Sequence, residues 1–225
     1  MKTLILPGWA TPGAYYEKLP FSEIEIMDYG FFQPGTVFSV EAIRNRLKIA
    51  VAETDCIVVA HSLGSMFALE AAAELPGIKA LVLFAPFARF SEAENYPGQG
   101  AKIIKAMRLQ LKKAPERVLE DFMKSMAEPE DFTFEVPAQI NVESLVSGLN
   151  CLLEHDVRGI LDRIACPVLT ISGSDDRIAA HGQALFMSNH IANCEYCEID
   201  GAGHAVPFTR MEEYTYILNL FTGRI

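Results

Sequence analysis

The sequence predicts an α/β fold: a mostly parallel sheet of about six strands flanked by helices, with a helical lid inserted between two of the strands. Three observations predict it. Short, continuously apolar runs recur along the chain, as in strands buried on both faces. Stretches with helical spacing of apolar residues separate those runs, which is the pattern of a parallel sheet with helical crossovers. The interval from about Ser91 to His155 keeps helical patterning but has no convincing buried strand. With 225 residues, half of them apolar and 21% charged, the chain can bury one large core. Disordered, collagenous and small disulfide-stapled chains are excluded.

The elements follow in order. Thr3–Leu6 is an apolar run stopped by Pro7-Gly8, and Glu23–Asp28 is the second strand candidate. A helical period over Val40–Glu53 leads to Cys56-Ile57-Val58-Val59-Ala60, the centre of a strand over Asp55–Ala60. Leu63–Leu75 is an Ala/Leu-rich helix ended by Pro76-Gly77, and the strand Lys79–Phe84 follows. In the insertion, helices are expected over Ala101–Lys113, over Glu116–Met126 opened by Pro115, and over Val142–Leu153. Strands Pro167–Ser172 and Cys194–Ile199, with helices His181–Asn189 and Met211–Phe221, complete the pattern. Residues 1–90 and 156–225 are therefore assigned to the core and 91–155 to the lid.

Nineteen basic and 29 acidic residues leave a net charge of −10, which argues against nucleic acid or an anionic membrane as partner. The charge is uneven, however. Between Ala101 and Met126 seven bases face three acids, a local +4 against −14 for the rest. The first apolar run breaks at Pro7, too early for a signal segment or a membrane span. Five scattered cysteines, an odd number, fit reduced thiols in a cytoplasmic protein. Cys194 and Cys197 have C-x-x-C spacing, but no second pair accompanies them, so no metal site is expected.

Chemistry is concentrated in Ala60-His61-Ser62-Leu63-Gly64, which lies between a buried strand and a helix. A serine presented on such a strained turn needs small neighbours two residues away, and Ala60 and Gly64 meet that need. Serine requires a base, and the base an orienting acid. Asp175 and Asp176 follow the strand over Pro167–Ser172, and His204 follows the strand over Cys194–Ile199. Ser62, Asp176 and His204 are thus candidates on loops at one edge of the sheet, with Asp175 as the alternative acid. Oxyanion donors are expected from the Leu63 amide and from the Trp9 amide, after Pro7-Gly8. The Trp9 ring either lines a substrate pocket or is a core aromatic.

Taken together, Pro7-Gly8-Trp9, Ala60-His61-Ser62-Leu63-Gly64, Asp156-Val157-Arg158, Gly173-x-x-Asp176 and Gly201-Ala202-Gly203-His204-Ala205 resemble the α/β-hydrolase superfamily across nearly the whole chain. Within it they are most similar to the pimeloyl-acyl-carrier-protein methyl ester esterases of biotin synthesis. The resemblance implies the α/β-hydrolase fold, a triad of Ser62, Asp176 and His204, and an oxyanion hole from Trp9 and Leu63. It also implies a basic lid face that engages an acidic acyl carrier protein. On a helical wheel Lys102, Lys105, Arg108, Lys112 and Lys113 fall on one side, with Ile103, Ile104, Met107 and Leu111 on the other. A merely solvated basic face is the alternative. The pattern departs from the family at Pro7, Ala60, His61 and Ser65, where histidine, glycine, tryptophan and a second glycine are usual. The chain also opens on the strand carrying the oxyanion loop, so a leading hairpin is expected to be absent.

The expected activity is therefore that of a cytoplasmic serine carboxylesterase needing no metal or cofactor. A general short-acyl esterase or thioesterase of the same fold is the runner-up, and a non-catalytic binding protein of this fold is the rival from another class.

Overall fold

In the computed structural model, which describes residues 1–180 and 182–225, six strands form one sheet in the order β2-β1-β3-β4-β5-β6. They are β1 (Lys2–Leu6), β2 (Ile24–Ile26), β3 (Cys56–His61), β4 (Ile78–Phe84), β5 (Val168–Gly173) and β6 (Cys194–Ile199). All five pairings are parallel. The chain steps from β1 outward to β2 and then returns to the other side of β1. That reversal opens a crevice at the carboxyl ends of β1 and β3, where open α/β sheets bind ligands.

The continuous apolar runs have a simple cause: both faces of the sheet are covered. Side chains alternate across a strand. Leu4, Leu6, Val58, Ala60, Leu81 and Leu83 point into one core, which α1 (Val40–Glu53), α2 (Leu63–Glu74) and α6 (Gly182–His190) help to close. Ile5, Val59, Val82 and Phe84 point into the other, against Tyr214, Leu218 and Phe221 of α8 (Met211–Thr222). Each fully buried Leu, Ile, Val or Phe among them contributes about 1.5–3 kcal/mol. The helix expected to begin at His181 is described from Gly182 onward, and His181 itself lies outside the described residues.

Between β4 and β5 the chain forms α3 (Ala101–Leu111), α4 (Pro115–Ala127) and α5 (Val142–Glu154), with Pro115 in the first turn of α4. Asn141 caps α5 by accepting the Ser144 amide and also donates to the carbonyls of Gly30 and Gln33. The insertion is thereby tied to the loop after β2. At its far end Asp156 accepts hydrogen bonds from Arg158 and from Arg89. The Arg158 guanidinium holds the Asp156 carboxyl down at about 2. The Asp156-Val157-Arg158 segment is thus a clip that returns the chain to the sheet.

Among the described residues no helix is long and apolar enough to cross a membrane. Cys194 and Cys197 lie three residues apart on β6 and pack against opposite cores, so their sulfurs cannot converge on one ion. Three short elements were not legible in the sequence: the 3₁₀ turns Gly13–Lys18 and Arg158–Arg163, and α7 (Val206–Thr209). Such pieces are too short to show a period.

Candidate active site

Ser62 sits between β3 and α2 with φ +52° and ψ −117°, a conformation that L-residues adopt only under constraint. The constraint is visible. The Ser62 amide donates to the Phe84 carbonyl at 3.0 Å, and the Ser65 amide turns back to the Ser62 carbonyl at 2.9 Å. A Cβ on Gly64 would lie 2.2 Å from the Leu6 carbonyl oxygen, so only glycine lets the turn press against the end of β1. Ser65, at the departure from a second glycine, uses its hydroxyl to serve the Ser62 carbonyl and to accept the Phe87 amide at 3.1 Å.

Asp176 lies in the loop after β5. Its Oδ1 accepts the amides of Ile178 and Ala179 at 2.8 and 2.9 Å, and its Oδ2 accepts His204 Nδ1–H at 2.8 Å. Because the carboxylate is acceptor-only, the His204 proton is placed on Nδ1 and the lone pair on Nε2. That Nε2 is buried and has no hydrogen-bond partner among the described residues. Asp175 is exposed and, among the described residues, gives only its amide, to the Ala202 carbonyl. The geometry therefore separates the two candidate acids and brings Asp176 to His204.

Leu63 is the first residue of α2, where an amide has no intrahelical acceptor. Trp9 follows β1 at the neighbouring strand end. Its ring is both core and wall: the indole N–H donates to the Leu145 carbonyl at 2.9 Å, the ring meets Phe122 edge-on at 4.8 Å, and it borders an apolar cavity.

Residues 5–215 match the alpha/beta hydrolase family. The chain belongs to that family. This hydrolase is similar to a protein of Neisseria meningitidis named pimeloyl-[acyl-carrier protein] methyl ester esterase, with 24% identity over 98% of the chain and 93% of the relative. A protein of the same name from Xanthomonas oryzae pv. oryzae is 26% identical over 99% and 95%. The fold is that of a solved esterase from Exiguobacterium antarcticum, with a TM-score of 0.86 at 17% identity, covering 99% and 92% of the two chains.

The hydrolase holds its histidine loop from outside the sheet, a feature that sequence reasoning missed. Glu130, three residues past α4, accepts the Gly203 amide at 3.2 Å, the Thr209 hydroxyl at 3.1 Å and Arg210 Nε at 2.9 Å. The Ala205 amide donates to Met126 of α4 at 3.0 Å. His204 is thus bracketed by two bonds to the insertion. A Cβ on Gly203 would lie 1.9 Å from the Glu128 carbonyl oxygen, which explains the glycine before the histidine. Glu130→Ala leaves the Gly203 amide and Arg210 without their acceptor and is expected to destabilise the fold by about 1–3 kcal/mol. Urea unfolding at constant m-value checks this.

Above the crevice lies a cavity of about 520 Å³ walled by Trp9, Ile103, Met107, Phe122, Leu149 and Ile178, among others. Ser62 and His204 are not in its wall and are 6% and 1% exposed. Two expectations for α3 are corrected here. Ile103, assigned to the packed face, is 62% exposed, because only the Ile104–Leu111 edge of that face packs inward while Ile103 borders the cavity. Arg108, assigned to the free basic face, is half-buried and donates to Asn150 of α5 at 2.6 Å. Lys102, Lys105, Lys112 and Lys113 remain exposed.

Proposed function

We propose that this hydrolase is a serine carboxylesterase in which Ser62 is the nucleophile, His204 the base and Asp176 the orienting acid. The observation that carries the reading is the buried Nε2 of His204, without a partner among the described residues, on a ring held from behind by Asp176, at the same sheet edge as the strained Ser62. His204 Nε2 takes the proton of Ser62 Oγ as Oγ attacks the ester carbonyl. The amides of Leu63 and Trp9 stabilise the tetrahedral oxyanion. Collapse breaks the ester C–O bond, and His204 returns the proton to the departing alcohol. Water, deprotonated by the same Nε2, then hydrolyses the acyl-enzyme to the free acid. The scheme uses no metal or cofactor.

The substrate we propose is the methyl ester of a pimeloyl chain on its carrier protein, in the cytoplasm, as a step of biotin synthesis. Two relatives carry that activity in their names. Residues 91–155 would act as a lid, with the acyl chain in the apolar cavity and the acidic carrier against Lys102, Lys105, Lys112 and Lys113. Changing these four lysines to glutamate is expected to raise KM for the carrier-bound ester about tenfold at low salt, leaving a small soluble ester unaffected. Steady-state kinetics on both substrates checks this.

Rescue of a biotin-requiring strain that lacks its own esterase tests the whole reading: wild type restores growth and Ser62→Ala does not. Failure to cleave the carrier-bound ester beside ready cleavage of short-chain esters would instead identify a general short-acyl esterase or thioesterase. A folded protein inert to a fluorophosphonate probe would be a binding module.

A further inference from the structure

His61, the residue before Ser62, has no part in the scheme above, yet it is fully enclosed at the centre of the site. Its Nε2 lies 3.0 Å from the His204 carbonyl oxygen and its Nδ1 lies 2.8 Å from the Tyr16 hydroxyl. The Tyr16 hydroxyl oxygen in turn accepts the Gly8 amide at 2.8 Å. These contacts admit one arrangement of protons. A carbonyl only accepts, so His61 Nε2 carries the hydrogen and Nδ1 carries the lone pair. Tyr16 then donates its O–H to Nδ1 and keeps an oxygen lone pair for Gly8 N–H. Every donor has its acceptor, and all of these side chains are buried.

The chain of bonds therefore runs from the loop that presents the Trp9 amide to the backbone of His204. We propose that Tyr16 and His61 form a positioning relay that fixes the base His204 and the Gly8–Trp9 loop relative to one another on either side of Ser62. This rests on the reading of Ser62, His204 and Asp176 as the triad. Neither relay residue touches substrate. Burial, and secondarily the neighbouring His204, push the His61 imidazole well below its ordinary range, and burial pushes the Tyr16 phenol up. Both stay neutral while His204 becomes charged, its ring centroid 5.0 Å from that of His61. A second positive charge at that distance would oppose the imidazolium formed in the transition state.

Tyr16→Phe removes one oxygen and keeps the ring that packs edge-on against Phe208 at 5.1 Å, so the fold is retained. The Gly8 amide and His61 Nδ1 lose their partner. Displacements on the order of an ångström between base and oxyanion donors cost up to about 100-fold in rate. Tyr16→Phe is expected to lower kcat about 10–100-fold with KM within about twofold, and to slow fluorophosphonate inactivation in proportion. The probe uses the same base and oxyanion amides but not the acyl cavity. His61→Gln, whose amide can still donate to the His204 carbonyl, should recover part of the rate lost in His61→Ala. The double variant Tyr16→Phe/His61→Gln should be no slower than the slower single variant. Folded Tyr16→Phe and His61→Gln proteins with wild-type kcat and wild-type probe rates would overturn the relay while leaving the triad standing. A wild-type protein inert to the probe would overturn the triad and the relay together.

Discussion

Ser62→Ala is expected to lower kcat/KM for an ester by about 10⁴-fold or more, with the unfolding midpoint little changed. The size of the loss follows from what remains. In the proposed mechanism the oxyanion amides and the acyl cavity are untouched, so binding and some electrostatic stabilisation persist. His204 then has no oxygen to deprotonate except that of water. The structure also predicts a small effect on stability. Ser62 Oγ is not needed to satisfy any buried group, because the turn is held by the Ser62 amide to Phe84, the Ser65 amide to Ser62, and the Ser65 hydroxyl. Alanine must still accept a φ of +52°, a strain serine already bears. Ester hydrolysis, fluorophosphonate labelling and urea unfolding on one preparation measure both halves. Retention of wild-type activity would exclude Ser62 as the nucleophile.

Asp176→Asn is expected to cost about 10⁴-fold in kcat, while Asp175→Asn stays within about twofold of wild type. The reason lies in the two amides behind the carboxylate. Ile178 N–H and Ala179 N–H both point at Oδ1 and need an acceptor. An asparagine there must keep its oxygen toward them, which turns its NH₂ toward His204 Nδ1. That nitrogen must then accept, so the His204 proton moves to Nε2 and the base is lost without a change of shape. Asp175 is exposed and, among the described residues, contributes to the loop only through its backbone, which asparagine preserves. Activity of the two variants, measured side by side, therefore reads the tautomer of His204. Equal losses in both would show that loop charge, and not the 2.8 Å contact with His204, is what matters.

How much of this was legible in the sequence depended on the range of the interaction involved. Strands β3 and β4 were readable because each is buried on both faces, so their apolar runs are unbroken. The turn around Ser62 was readable because its steric demand falls on near neighbours, Ala60 and Gly64. The latch at Glu130 was not, since nothing in the residues near it indicates that its carboxylate will meet Gly203 and Arg210. Arg108 was misplaced for a related reason. A helical wheel sorts residues by angle, but it does not say that Asn150 waits across the helix pair. Ile103 shows the same limit, because an apolar face can meet a cavity as well as a core.

His61 draws the line most clearly. Its place beside Ser62 was written in the chain, but its contacts with Tyr16 and His204 span 45 and 143 residues. By itself the sequence determined the order of the elements, the strained serine turn and the strand ends from which Asp176 and His204 emerge. These follow from local periodicity and sterics. Only the tertiary structure showed that the Asp176 carboxylate meets the histidine, that Glu130 and His61 hold its loop, and that Lys102 and Lys105 on α3 and Lys112 and Lys113 just past it stay exposed. Those outcomes depend on hydrogen bonds between segments far apart in the chain, and such bonds have a direction and a length only once the chain has folded.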